Sequence, residues 1–271
     1  MRRADDAANR TAMHETRVLP LENVHNFRDY GGYTVADGGR VKHGLLWRSG
    51  EHGGATAADL AAIGALGLAT VYDLRGNGER AANPCRRPTG FAAEVVFHDG
   101  ETAGLALHVE AAKGVIDQAG ARAAMQRLYR DIAFRPNLVP ILRRYFEGLT
   151  RRDGASVVHC LAGKDRTGFA VAMLHHALGV HRDDIMADYM LTNIAGNIDR
   201  RIASGSFAIR ERHGQISDAT IRTLMGVEAE YLDASFAAIE QRHASVDAYL
   251  VEVLGVDNAA RAVLADRFIT A

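Results

Sequence analysis

The stretch Ser156-Val157-Val158-His159-Cys160-Leu161-Ala162-Gly163-Lys164-Asp165-Arg166-Thr167-Gly168 constrains the fold more than any other part of the chain. It opens with a short apolar run of the kind buried on both faces of a parallel sheet. A glycine-bearing loop follows, and then residues at helical spacing as far as Leu178, with Gly179 as the stop. Strand, loop and helix in that order turn the backbone N–H groups of the loop inward around one point. The helix N-terminus adds partial positive charge there, so the turn is a seat for an anion. Gly163 supplies the positive φ that such a loop needs.

Two side chains give the seat its chemistry. Arg166 lies six positions after Cys160, across the loop, and its planar fork suits two oxygens of a phosphate. Cys160 stands in the same positive field, which favours its thiolate, and a thiolate aimed at a bound phosphate can attack phosphorus. Leu161, Ala162, Gly163, Lys164, Asp165 and Arg166 are the expected phosphate-binding residues. Thr167 can donate its hydroxyl to the sulfur, and His159 can tie the loop to its surroundings. A bare Cys-x5-Arg is weak evidence; the preceding strand, Gly163, Thr167-Gly168 and the following helix make a merely structural cysteine the poorer explanation. Cys85, between Pro84 and Arg86, has no such context and reads as incidental.

The rest of the chain alternates strand and helix before position 160. Strands are expected within 26–35, at 45–49, 69–75 and 93–98, and a helix at 56–66 behind a Thr56 cap. Residues 105–133 read as one or two helices broken near Gly114 or Gly120, and another helix starts between Pro136 and Pro140 and ends near Leu149. From 183 onward the pattern is helical throughout. Strands alternating with helices argue for an α/β core on which a helical C-terminal third packs.

With 271 residues the chain can bury a core unaided. Its 32 Lys+Arg against 33 Asp+Glu leave a net charge of −1, so no field of the whole molecule attracts nucleic acid or another polyanion. An anionic substrate has to be drawn by a local site. The 2 cysteines make no disulfide framework, and a thiol enzyme suits a reducing compartment. There is no apolar run of membrane-spanning length and no apolar stretch after Met1-Arg2-Arg3, so a cytoplasmic location is expected, with export by another route left open. Residues 1–17 read as a disordered tail and 18–271 as one domain.

The loop from His159 to Gly168 resembles the signature of the protein tyrosine phosphatase superfamily. Its Gly163-Lys164-Asp165-Arg166 is similar to an atypical bacterial and fungal branch with a His-Cys-x-x-Gly-Lys-Asp-Arg loop. Asn26-Phe27-Arg28-Asp29 with Gly31-Gly32, Leu46-Trp47-Arg48-Ser49, Asp73-Leu74-Arg75 followed by Glu79, Asp188-Tyr189, and stretches at 226–231 and 244–249 resemble the same branch. The resemblance implies a mainly parallel central sheet flanked by helices. It implies hydrolysis through a phosphocysteine without metal or other cofactor, acting on phosphotyrosine, phosphoserine or phosphothreonine proteins and on phosphoinositides. A helical lid, known in a relative, would fall at 105–149.

Ester cleavage also needs an acid for the leaving oxygen. Asp165, inside the loop, and Asp99, at the end of the 93–98 strand, are the two candidates. Arg28, Asp29 and Arg48 are expected to buttress the loop, and Arg75 to pair with Glu79 four residues on. His175, His176 and His181 do not read as a metal site, because the adjacent pair face different ways on a helix. Two other functions would use a similar loop, a cysteine-dependent sulfurtransferase and an inactive phosphate-binding module; the presence of both Cys160 and Arg166 argues against the second. Lys164 is placed either to meet a second phosphate of a phosphoinositide or to neutralise Asp165 beside it.

Overall fold

The computed structural model describes residues 17–102, 117–200, 202–203 and 216–270. Its centre is a five-stranded sheet. In chain order the strands and helices of the first part are β1 (Arg28–Asp29), β2 (Arg40–Val41), β3 (Leu46–Ser49), α1 (Ala57–Gly64), β4 (Leu68–Asp73), α2 (Asn77–Ala82), β5 (Glu94–Phe97), α3 (Gln118–Ile132), α4 (Leu138–Arg151), β6 (Ala155–His159) and α5 (Asp165–Ala177). The spatial order is β1-β3-β6-β4-β5, with β1 antiparallel to β3 and the other neighbours parallel.

Side-chain alternation decides what covers each face. Trp47, Val71 and Val157 point to one side, where Val24, Phe27 and Ile63 of α1 complete a small core. Leu46, Tyr72 and Val158 point to the other, larger core, which takes in α3, α4 and α5. Thr56 caps α1 as expected, and the capping-box carboxylate of Asp59 also accepts the N–H groups of Glu22 and Asn23 at 2.7 and 3.0 Å, pinning the chain that leads into β1.

After α5 come α6 (Arg182–Met190), α7 (Thr192–Ala195), α8 (Asp218–Met225), α9 (Ala229–His243), α10 (Val246–Glu252), α11 (Asn258–Phe268) and β7 (Ile269–Thr270). Among the described residues the C-terminal third is helical as expected except at its end, where β7 pairs antiparallel with β2; most of the helix expected at 196–212 lies outside them. Two-residue strands such as these carry no alternation for a sequence pattern to reveal.

The span expected as a helical lid is 105–149. Residues 103–116 lie outside the described residues. The described remainder forms α3 and α4, which are core helices: Met125, Tyr129, Ile132, Leu138, Ile141, Leu142 and Tyr145 are fully buried. The alanine-rich composition masked a regular stripe, with Ala121, Ala124, Met125, Leu128, Tyr129 and Ile132 buried along α3. Gly120 does not break that helix, because it sits in the first turn, where its N–H is taken by the cap Asp117. At the N-terminus the expected tail includes Arg17, yet Arg17 is buried and its carbonyl accepts the Asp29 N–H at 3.1 Å. No helix among the described residues is long and apolar enough to cross a membrane.

Candidate active site

Strand register sets the floor of the site. His159 at the end of β6 lies opposite Ser49 on β3 and Asp73 on β4, so three parallel strands finish level. Ligands of open α/β sheets bind beyond such carboxyl ends. The chain then turns through Cys160, Leu161, Ala162, Gly163 and Lys164 into α5. Cys160 is 2 % exposed; Leu161 and Ala162 are half-buried, and the residues from Gly163 to Thr167 are buried. Apart from His176, α5 is buried all round, as a helix entering the middle of a domain must be.

Gly163 is the tightest point of the turn. Its φ is +64°, and a Cβ there would lie 2.4 Å from the Ser49 carbonyl oxygen. Its own carbonyl points outward and accepts from Asn26 Nδ2 at 2.5 Å and from Arg48 at 3.0 Å. Both donors are fixed in turn. Arg48 bonds Asp188 of α6 at 2.5 Å, and Arg28 bonds the same carboxylate at 3.3 Å and the Asn26 amide oxygen. Burial works to raise the Asp188 pKa, but the two guanidinium groups hold it below the usual carboxylate range. Arg48 thus bonds the loop directly, and Arg28 reaches it through Asn26 and Asp188. Asp29 does not touch it, and accepts instead from the Gly31 and Gly44 N–H groups and from His43.

Arg166 is held on one edge and open on the other. Its Nη1 and Nη2 bond the Glu79 carboxylate at 2.5 and 2.7 Å, and Nη1 also reaches Thr102 Oγ1 at 2.9 Å and the Leu74 carbonyl at 3.3 Å. Nε is buried and has no partner among the described residues. The Nε–Nη2 edge is therefore the one left for two oxygens of an anion. Burial works against its charge, but Glu79 and the nearby Cys160 outweigh it and strengthen the guanidinium. Burial likewise works to raise the Glu79 pKa, and the bond to Arg166 lowers it below the usual range.

This corrects the expected Arg75–Glu79 pair. Arg75 instead makes a two-pronged bond to Asp73, at 2.9 and 2.7 Å, and donates to the Asn83 carbonyl at 2.7 Å. Glu79 and Thr102 are site residues that spacing alone did not reveal. Spacing assigns Glu79 to Arg75 rather than to Arg166, and Thr102 carries no sequence signal.

The remaining candidates fall as follows. His159 is fully buried, its ring stacked on that of His52 at 5.2 Å and its Nε2 3.7 Å from Asp73. Burial, opposed by Asp73, pushes the His159 pKa down to about 4. The Thr167 hydroxyl is buried with no partner among the described residues. Lys164 Nζ bonds the Leu224 carbonyl of α8 at 2.7 Å and lies 3.4 Å from Asp165. Asp165 accepts the Tyr129 hydroxyl on Oδ1 at 2.8 Å. Asp99 is exposed and bonds Asn77 Nδ2 at 2.7 Å, three residues before Thr102 on the same loop. His175 and His176 do have separate partners, the Tyr30 carbonyl and Asp247.

Cys160 is thus buried at the start of a tight turn into α5, and Arg166 is clamped by Glu79 on one edge. Comparison with known proteins supplies the family. Residues 19–270 match the model of the tyrosine phosphatase family, and the chain belongs to that family. It is 36 % identical over 250 residues to a Cupriavidus necator protein whose name is putative tyrosine-protein phosphatase, covering 88 % of this chain and 85 % of that one. It is 29 % identical over 266 residues to the triple specificity protein phosphatase PtpB of Mycobacterium tuberculosis, covering 86 % and 92 % of the two chains. The protein is a phosphatase, which sets aside the sulfur-transferring alternative.

Proposed function

We propose that the protein hydrolyses phosphomonoesters, phosphotyrosine foremost, through a phosphocysteine on Cys160. The observation that carries this is the open Nε–Nη2 edge of Arg166 over the loop that begins at Cys160. The loop amides and that edge grip the phosphate oxygens. The Cys160 sulfur attacks phosphorus, the P–O ester bond breaks, and Asp165 gives its proton to the leaving oxygen. Water then attacks phosphorus, its proton passes to the Asp165 carboxylate, the S–P bond breaks, and inorganic phosphate leaves. The unpartnered Thr167 hydroxyl is available to the departing sulfur. Asp165 is preferred to Asp99 because it stands buried at the loop itself, whereas Asp99 is exposed and occupied with Asn77. Cys160→Ser should lose turnover while still binding vanadate or phosphate, since amides and Arg166 remain; clean variant protein that keeps more than a few per cent of turnover contradicts the proposal.

Breadth of substrate is a second part of the proposal. The Mycobacterium tuberculosis relative is named for triple specificity, which supports activity on several phosphoesters. Phosphoinositide cleavage would draw on Lys164, whose ammonium would have to leave the Leu224 carbonyl to meet a second phosphate. A charge-assisted contact of that kind is worth about tenfold to a hundredfold in kcat/KM. Lys164→Met should lower kcat/KM on a polyphosphorylated inositol lipid by about that factor relative to a phosphotyrosine peptide. An unchanged ratio leaves Lys164 as the neutralising neighbour of Asp165.

A further inference from the structure

The acid proposed above stands at the end of a hydrogen-bond chain that the reaction so far does not use. Tyr189 of α6 donates to the Tyr129 hydroxyl at 2.7 Å, and Tyr129 of α3 donates to Asp165 Oδ1 at 2.8 Å. All three side chains are buried. Among the described residues the Tyr189 hydroxyl has no other hydrogen-bond partner, so its hydrogen goes to Tyr129. The Tyr129 oxygen is thereby supplied, and the hydrogen of Tyr129 is committed to Oδ1 of Asp165. A carboxylic acid has one proton to place, and with Oδ1 already receiving a donor that proton belongs on Oδ2.

We propose that Tyr129, backed by Tyr189, is a positioning residue for catalysis: it fixes the transferable proton of Asp165 on Oδ2 and stabilises the carboxylate that remains once the proton has gone to the leaving group. This rests on Asp165 being the acid. The rings hold the chain in place without a titrating partner. Tyr129 packs against Tyr189 with centroids 6.1 Å apart and against Tyr231 of α9 at 5.7 Å. Burial raises the pKa of Tyr129 and of Tyr189 well above 10, and that of Tyr231 above it too, so all three stay neutral donors over the working range. The charged groups facing Asp165 are Lys164 at 3.4 Å and Arg166 in the same helical turn. Both are untouched by changes to the tyrosines, so a shift on removing a hydroxyl belongs to the chain.

The experiment is the pH profile of kcat on aryl phosphates with poor and good leaving groups, for the wild type, Tyr129→Phe, Tyr189→Phe and Asp165→Asn. Tyr129→Phe removes a hydrogen bond that stabilises the carboxylate left after proton transfer. The basic limb should move up by about one pH unit in Tyr129→Phe. It should move less, in the same direction, in Tyr189→Phe. In Tyr129→Phe, kcat should fall about tenfold for phenyl phosphate and hardly at all for dinitrophenyl phosphate, whose leaving group needs no proton. A purely structural role would lower both substrates alike and leave the limb where it is. Asp165→Asn separates the two layers of the claim. A limb that persists in Asp165→Asn overturns the acid assignment and this proposal with it. A limb that vanishes there but does not move in Tyr129→Phe overturns the tyrosine chain alone.

Discussion

Cys160 and Arg166 could be named from the sequence because their spacing is a property of one loop, and a loop of fixed length leaves its ends little freedom. Which edge of the arginine is free could not. Arg75 and Glu79 sit four apart, a spacing that pairs side chains on a helix. But Arg75 follows the end of β4, where extended backbone carries it back to Asp73, and Glu79 is turned by α2 toward Arg166, 87 residues away. Long-range pairs of this kind leave no local trace. Glu79 aims the fork, so Glu79→Gln should cost about tenfold to a hundredfold in kcat/KM, the worth of a bond to a charged group. Steady-state kinetics with phosphate inhibition checks it. Activity and phosphate affinity both unchanged would mean that Arg166 needs no clamp.

Elements with a full period were legible: β4, β5 and β6 by apolar runs, α1 by its cap, and α5 by its stop glycine. What escaped was too short for a period, as with β2, β7 and α2; α3 was expected as helix, but its buried stripe is dilute in large apolar side chains. The loop between β6 and α5 was legible as a glycine-bearing turn into a helix, but its support was not. Asn26, Arg28, Arg48 and Asp188 meet behind Gly163 from three separate stretches of chain. The loop therefore has no room to relax. Gly163→Ala forces a side chain into the left-handed region, costing about 1–2 kcal/mol, and drives its Cβ into the backbone of Ser49 and Gly50. Vanadate affinity should fall about tenfold or more with a lower melting temperature; wild-type affinity in Gly163→Ala would show that the seat is not set by this turn.

At the scale of the molecule, the sheet brings His52, His159 and Asp73 together beneath the loop, and this buried layer gives stability a pH dependence. Burial lowers the pKa of His159 from 6.5 to about 4, of His52 well below 6.5, and of His175 below it. These imidazoles are neutral when folded and take up protons more readily when unfolded. Their contribution is complete above pH 6.5 and is lost as pH falls toward 4, by about 3 kcal/mol for His159 alone. Glu79, Asp73 and Asp188, whose pKa values are lowered by their partners, add to the loss once pH falls below about 4. The melting temperature should be flat above pH 7 and drop on acidification, less steeply in His159→Asn; a rise on acidification would contradict the buried neutral layer. His159 of this layer immediately precedes Cys160, whose sulfur is the proposed nucleophile. The direct measurement is a rapid acid quench of wild-type enzyme turning over an aryl phosphate, followed by mass analysis of the peptides. One phosphoryl group on the peptide that contains Cys160, absent in Cys160→Ser, is the expected result; turnover with no phosphoryl group trapped there, or with Cys160→Ser fully active, contradicts it.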